Sequence, residues 1–146
     1  MTIDHFRKLE NMYLKARFNQ NLYETTTINI SEKKAVITMD AHEKYFHAMG
    51  AIHGSVYFKL LDDAAFFAVN SVVEDVFVLT TNFNINIVRP VNHGKMRSIG
   101  KIKSTSKRLY IAESEMYDEK DRLVAFGLGH FMKSRTLLED IPGYEI

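Results

Sequence analysis

At 146 residues the chain is the size of one domain, expected to span 1–146. A formal net charge of +1 and a 46% apolar composition suit a globular core and argue against a nucleic-acid partner, which would need a strong basic patch. Cysteine is absent, which excludes disulfides, thiolate metal sites and a cysteine nucleophile.

The opening MTIDHFRKLE lacks the apolar run of a signal peptide, and no stretch reads as transmembrane, so a cytoplasmic location is expected. Residues 3–17 place Ile3, Phe6, Leu9, Tyr13 and Ala16 at helical spacing, which predicts an amphipathic helix packed as a lid. Thr25–Ile30 and Ala35–Asp40 are rich in Thr, Ile and Val and read as two strands joined by a hairpin at Ser31–Lys34. Ala41–Ile52 has no clear period and reads as a loop leading to His53.

The stretch His53–Asn70, with the helix from about residue 54 to 70, is apolar on nearly every side, the pattern of a buried helix. Its polar residues Ser55, Lys59, Asp62, Asp63 and Asn70 fall on one stripe. That stripe is either a solvated face, with Lys59 and Asp63 as an i,i+4 pair, or a site in which one carboxylate points into a pocket.

Asp75–Val88 follows as a long strand, with Phe83, Ile85 and Ile87 alternating against three asparagines and Arg89-Pro90 ending it. Met96–Thr105, Leu109–Tyr117 and Leu123–Met132 complete the strands, and Ser134–Ile146 reads as irregular. Ala125, Gly127 and Gly129 share a face, which implies close approach by another element, with the central helix as the expected neighbour. The result is an α+β fold: an antiparallel sheet wrapped around one long central helix, with an extra N-terminal helix.

The loop and helix carry a specific pattern: His47-Ala-Met-Gly50-Ala-Ile-His53-Gly54-Ser55, then Leu60-Leu61-Asp62. With this layout, from about Leu22 to Lys133, the chain resembles the hotdog-fold thioesterases, nearest to the phenylacetate-pathway type of acyl-CoA thioesterase. That resemblance implies a homodimer or homotetramer that hydrolyses acyl-CoA, without cofactor or metal. It implies that the Gly54 N–H polarises the thioester carbonyl, that Asp62 acts as general base or nucleophile across the dimer interface, and that Thr80 helps place the water.

His47 stands where the family has Asn or Gln, and Ser55 where it has a second glycine. His47 can serve as a carbonyl donor or as a base. His53 is expected to shape the turn and Ser55 to cap the helix. Arg89, Lys107 and Arg108 are weak candidates for coenzyme A phosphates, each taken singly reading first as a solvated charge. His42, His47 and His53 could be read as metal ligands, but their spacing matches no common helical zinc motif. Phe58, Phe66, Phe67 and Phe83 suggest a bulky apolar pocket or plain core. The alternative from another class is a non-catalytic acyl-binding or regulatory hotdog protein. A hotdog dehydratase would need a paired Asp and His in a different motif.

Overall fold

The computed structural model describes residues 2–146. Helices α1 (Thr2–Lys15) and α2 (Arg17–Leu22) lead into strands β1 (Thr27–Ser31) and β2 (Lys34–Asp40). A loop with one short 3-10 turn, Glu43–Tyr45, delivers the chain to α3 (Gly54–Asn70). Four strands follow: β3 (Val76–Ile87), β4 (Lys95–Thr105), β5 (Tyr110–Tyr117) and β6 (Leu123–Leu137). They form one antiparallel sheet in the order β1-β2-β4-β5-β6-β3, with β1 and β3 at the edges.

The sheet curves around α3. Leu60, Leu61, Ala64, Ala65, Ala68 and Val69 are fully buried, as the all-round apolar pattern requires. Close approach is made possible by small residues in register across the sheet: Ala35 opposite Gly100, Gly100 opposite Ser114, and Ser114 opposite Gly127. At Gly100 a Cβ would lie 2.2 Å from the backbone of Ala64, so helix backbone rests directly on sheet backbone. Ser114 adds a hydrogen bond from its hydroxyl to the Leu61 carbonyl, 2.8 Å.

Three expectations are corrected. The space at Gly127 and Gly129 is taken by the Phe83 ring rather than by the central helix; a side chain there would meet that ring at about 2.5 Å. The glycine that admits the helix is Gly100. The segment from Ser134 is not irregular at its start: β6 runs to Leu137, because β3 is long enough to pair Val76 with Leu137. The N-terminal segment is two helices, broken at Ala16, whose ψ of 132° is extended. Of the two readings of the polar stripe of α3, a solvated face holds only at Ser55, which is exposed. Asn70 is fully buried, bonding Val73, Val76 and Val78, and α1 lies over Lys59 and Asp63.

Among the described residues no helix is long and apolar enough to cross a membrane.

Candidate active site

Helix α3 presents its functional groups at two places. At its start, His53 is the N-cap: its Nδ1 accepts from the Ser55 N–H at 3.0 Å, and its carbonyl accepts from the Val56 N–H. Ser55 is therefore not the cap, because the helix begins two residues earlier than that role requires; its hydroxyl instead lies 2.8 Å from the His53 ring. With those two amides occupied, the Gly54 N–H makes no hydrogen bond among the described residues, at the positive end of the helix dipole.

Gly54 lines a cavity of about 350 Å³ with His47, Tyr57, Ile87, Arg89 and Pro90. His47 is held by a tight loop turn, its N–H on the Ala51 carbonyl and its own carbonyl accepting from Gly50, which adopts φ +82°. Its Nδ1 accepts from the Met49 N–H at 3.1 Å. The neutral ring therefore carries its proton on Nε2, where it can donate.

Two turns further along, Asp62 is half-buried and accepts a 2.9 Å hydrogen bond from the Thr80 hydroxyl of β3. Burial pushes its pKa up to about 6; Asp63 pushes the same way, while the Thr80 hydrogen bond and Lys59 oppose it. Its carboxylate thus sits where a proton can be taken and returned near neutral pH. Asp62 and Thr80 line a second cavity, of about 1000 Å³, mostly apolar and with seven aromatic side chains in its wall.

Asp63, one residue on, is tied into structure. It pairs with Lys59 and accepts from the Tyr13 hydroxyl of α1 at 2.7 Å. Lys59 also reaches the Tyr13 hydroxyl at 3.2 Å, with the rings of Tyr23, Tyr13 and Phe18 centred 4.8, 5.0 and 5.5 Å from its Nζ. Burial, with help from Asp63, holds the Tyr13 phenol well above its usual pKa.

Of the residues singled out from sequence, the structure brings Asp62, Thr80 and Ser55 to the larger cavity and Gly54, His47 and Arg89 to the smaller. Lys107 and Arg108 stand exposed between β4 and β5 and line neither. Phe58, Phe66 and Phe67 line the larger cavity. Phe83 does not; its ring fills the space at Gly127 and Gly129, and Phe77 of β3 stands in the wall instead. Sequence reasoning missed the N-terminal contribution to that wall: Tyr13, Ala16, Phe18 and Tyr23. The run of aromatics after the amphipathic helix was the available signal. Among the described residues no cluster of three or more His, Cys, Asp or Glu could hold a metal ion.

Several known proteins share this architecture. A candidate esterase of Saccharolobus solfataricus is 27% identical over 130 residues, covering 89% of this chain and 73% of its own. Escherichia coli PaaI, from the phenylacetic acid degradation operon, superposes with a TM-score of 0.83 at 19% identity, over 93% of this chain and 97% of its own. A Haemophilus influenzae thioesterase superposes with a TM-score of 0.75 at 18% identity, over 84% of this chain and 85% of its own. At such identities the structural likeness speaks for the fold, which is the hotdog fold. The sequence speaks for the family: residues 49–125, running from the turn before Gly54 through Asp62 and Thr80 into β6, match the thioesterase superfamily. With more than half of its length in that match, the chain belongs to the thioesterase superfamily.

Proposed function

We propose that this protein hydrolyses acyl-CoA thioesters to the free acid and coenzyme A, and that it does so as a homodimer at least. The observation that carries this reading is Asp62: a carboxylate with its pKa raised to about 6, hydrogen-bonded by Thr80 and opening onto a large, mostly apolar cavity.

In this reading the acyl group occupies the cavity beside Asp62. The thioester carbonyl accepts hydrogen bonds from the Gly54 N–H and the His47 Nε2–H of the partner subunit. Asp62 takes a proton from a water held by Thr80, and the water oxygen attacks the carbonyl carbon. The tetrahedral intermediate collapses by breaking the carbon–sulfur bond. Asp62 returns its proton to the departing thiolate, leaving the acid and free coenzyme A.

Distance supports a second subunit in this reading. Gly54 and Asp62 stand on one helix, about 12 Å apart along its axis, and line different cavities, so one carbonyl cannot meet both within a single chain. The outer edge of β3 is available for pairing with a second copy. Arg89, in the smaller cavity, is the best placed of the candidate cations for a coenzyme A phosphate. His53 and Ser55 act by shaping the helix start.

The test is thiol release from a panel of acyl-CoAs by wild type and Asp62→Asn. Turnover in the wild type that falls at least about a hundredfold in the variant supports the reading. Tight acyl-CoA binding without turnover in the wild type would favour the non-catalytic binding protein.

A further inference from the structure

The larger cavity has an unusual construction. One side belongs to α3 and β3, with Phe58, Asp62, Phe66 and Thr80. The facing side belongs to residues outside the family match: Tyr13, Ala16, Phe18 and Tyr23 from the N-terminal segment, with Ile141 and Pro142 from the tail. This wall is thus built from residues that lie outside the stretch matched by the family model.

The wall is fastened in place. The Lys59 ammonium, its side chain only 10% exposed, is paired with Asp63 and enclosed by the rings of Tyr13, Phe18 and Tyr23. The cage binds the N-terminal segment to α3 and cancels the one cation that α3 brings to the cavity. Lys15, at the rim, is paired with Glu145, 3.8 Å, and Arg17, which also lines the cavity, makes no ion pair among the described residues but stands exposed, where solvent screens its charge. What remains for a ligand is a mostly apolar chamber of about 1000 Å³ with seven aromatic side chains in its wall and Asp62 at the proposed reacting end. Such a chamber gains from each methylene that leaves water, by roughly fourfold in affinity per group. It gains nothing from an acetyl or butyryl group too short to reach the N-terminal wall, and it would strip the hydration from a second carboxylate without supplying an unpaired buried cation.

We propose that the segment before the family region is the acyl-selecting wall, and that the preferred substrates carry a neutral, apolar acyl group of medium to long chain, with Ala16 and Phe18 as specificity-determining residues. This rests on the thioesterase reading for turnover; the cavity's preference for an apolar chain can also be measured as binding alone.

Two measurements test it on the full-length protein. The first is kcat/KM for butyryl-, octanoyl-, dodecanoyl- and adipyl-CoA. Octanoyl- or dodecanoyl-CoA should exceed butyryl-CoA by at least about tenfold, with adipyl-CoA no better than butyryl-CoA. Ala16→Trp, at an exposed break between helices that the fold can absorb, should lower the dodecanoyl-to-butyryl ratio about tenfold. Phe18→Ala provides a second variant whose ratio should also move; circular dichroism reports on the fold of both. The second measurement is titration with sodium decanoate followed by amide NMR, which should perturb Tyr13, Phe18 and Phe77 in the wild type and bind more weakly in Ala16→Trp.

Decanoate binding at these residues with no acyl-CoA turnover would overturn the hydrolase reading and leave this one standing. Turnover with equal efficiency on all chain lengths, a preference for adipyl-CoA, an unmoved ratio in both folded variants, or no decanoate binding would overturn this one and leave the hydrolase reading.

Discussion

Asp62 and His47 carry the chemistry proposed here, and their protonation states can be separated experimentally. A base must be ionised to act, so kcat/KM should rise with pH through an acidic limb near 6, the value to which burial raises Asp62. The same shift has a stability consequence of opposite sense. A carboxyl with a raised folded-state pKa favours folding while protonated, and that contribution is lost as pH rises from about 4 through about 6. Asp62→Asn should therefore be more stable than wild type at pH 8, by up to roughly 3 kcal/mol, and equal to it below about pH 4; urea melts at the two pH values measure this. His47, with its proton fixed on Nε2 by the Met49 amide, is placed as a donor. His47→Gln should keep part of the activity and retain the acidic limb. His47→Ala should lose about 3 kcal/mol of transition-state stabilisation, measured as the fall in kcat/KM. A limb that disappears in His47→Gln would assign the base to His47 instead.

At the scale of elements, α1, α2 and α3 are held together by one polar knot in an aromatic setting. Taken from sequence alone, the Lys59–Asp63 pair is an i,i+4 pair of small value. Its burial beneath Tyr13, Phe18 and Tyr23 changes that estimate, since removing one partner leaves the other charge unpaired in a half-dry site. Asp63→Asn should cost roughly 3 kcal/mol in chemical denaturation, while turnover per folded molecule stays well above that of Asp62→Asn. Equal losses of activity in the two variants would remove the distinction drawn between these neighbouring carboxylates. The loop before α3 is tied to the same region: Tyr23 stacks on Tyr45 with ring centres 5.3 Å apart, and the Tyr45 carbonyl accepts from the His53 N–H. The start of α3, which carries Gly54, thus depends on the N-terminal segment for its placement.

At the scale of the molecule, the separation of Gly54 from Asp62 makes the proposed site incomplete in one chain. The exposed Leu79, Ile87 and Val88 lie on or beside the edge strand β3, where a second copy would cover them. Light scattering at micromolar concentration should give the mass of a dimer or a multiple of it. A monodisperse monomer that still hydrolyses acyl-CoA would refute a site shared between subunits.

The sequence by itself determined the main elements, and the family resemblance it carries supplied the candidate site residues. The run 54–70, apolar on nearly every side, reads as a buried helix and the alternating runs as strands around it, while His53-Gly54 and Asp62 stand out as candidates through the resemblance. These are local facts: period, composition and spacing are fixed within one segment. What only the tertiary structure decided is which surfaces meet. Periodicity says that a face is buried but not against what, so the polar stripe of α3 could be read as solvated when Tyr13 of α1 in fact covers its Lys59 and Asp63. Glycines at 127 and 129 could likewise be assigned to the helix, although a phenylalanine from β3 fills their space and Gly100 admits the helix. The wall of the larger cavity joins Tyr13 and Phe18 to Phe66 and Phe77 across long stretches of sequence. No spacing rule links those positions; they meet because the sheet, in curving round α3, leaves one side of the helix for the N-terminal segment to close.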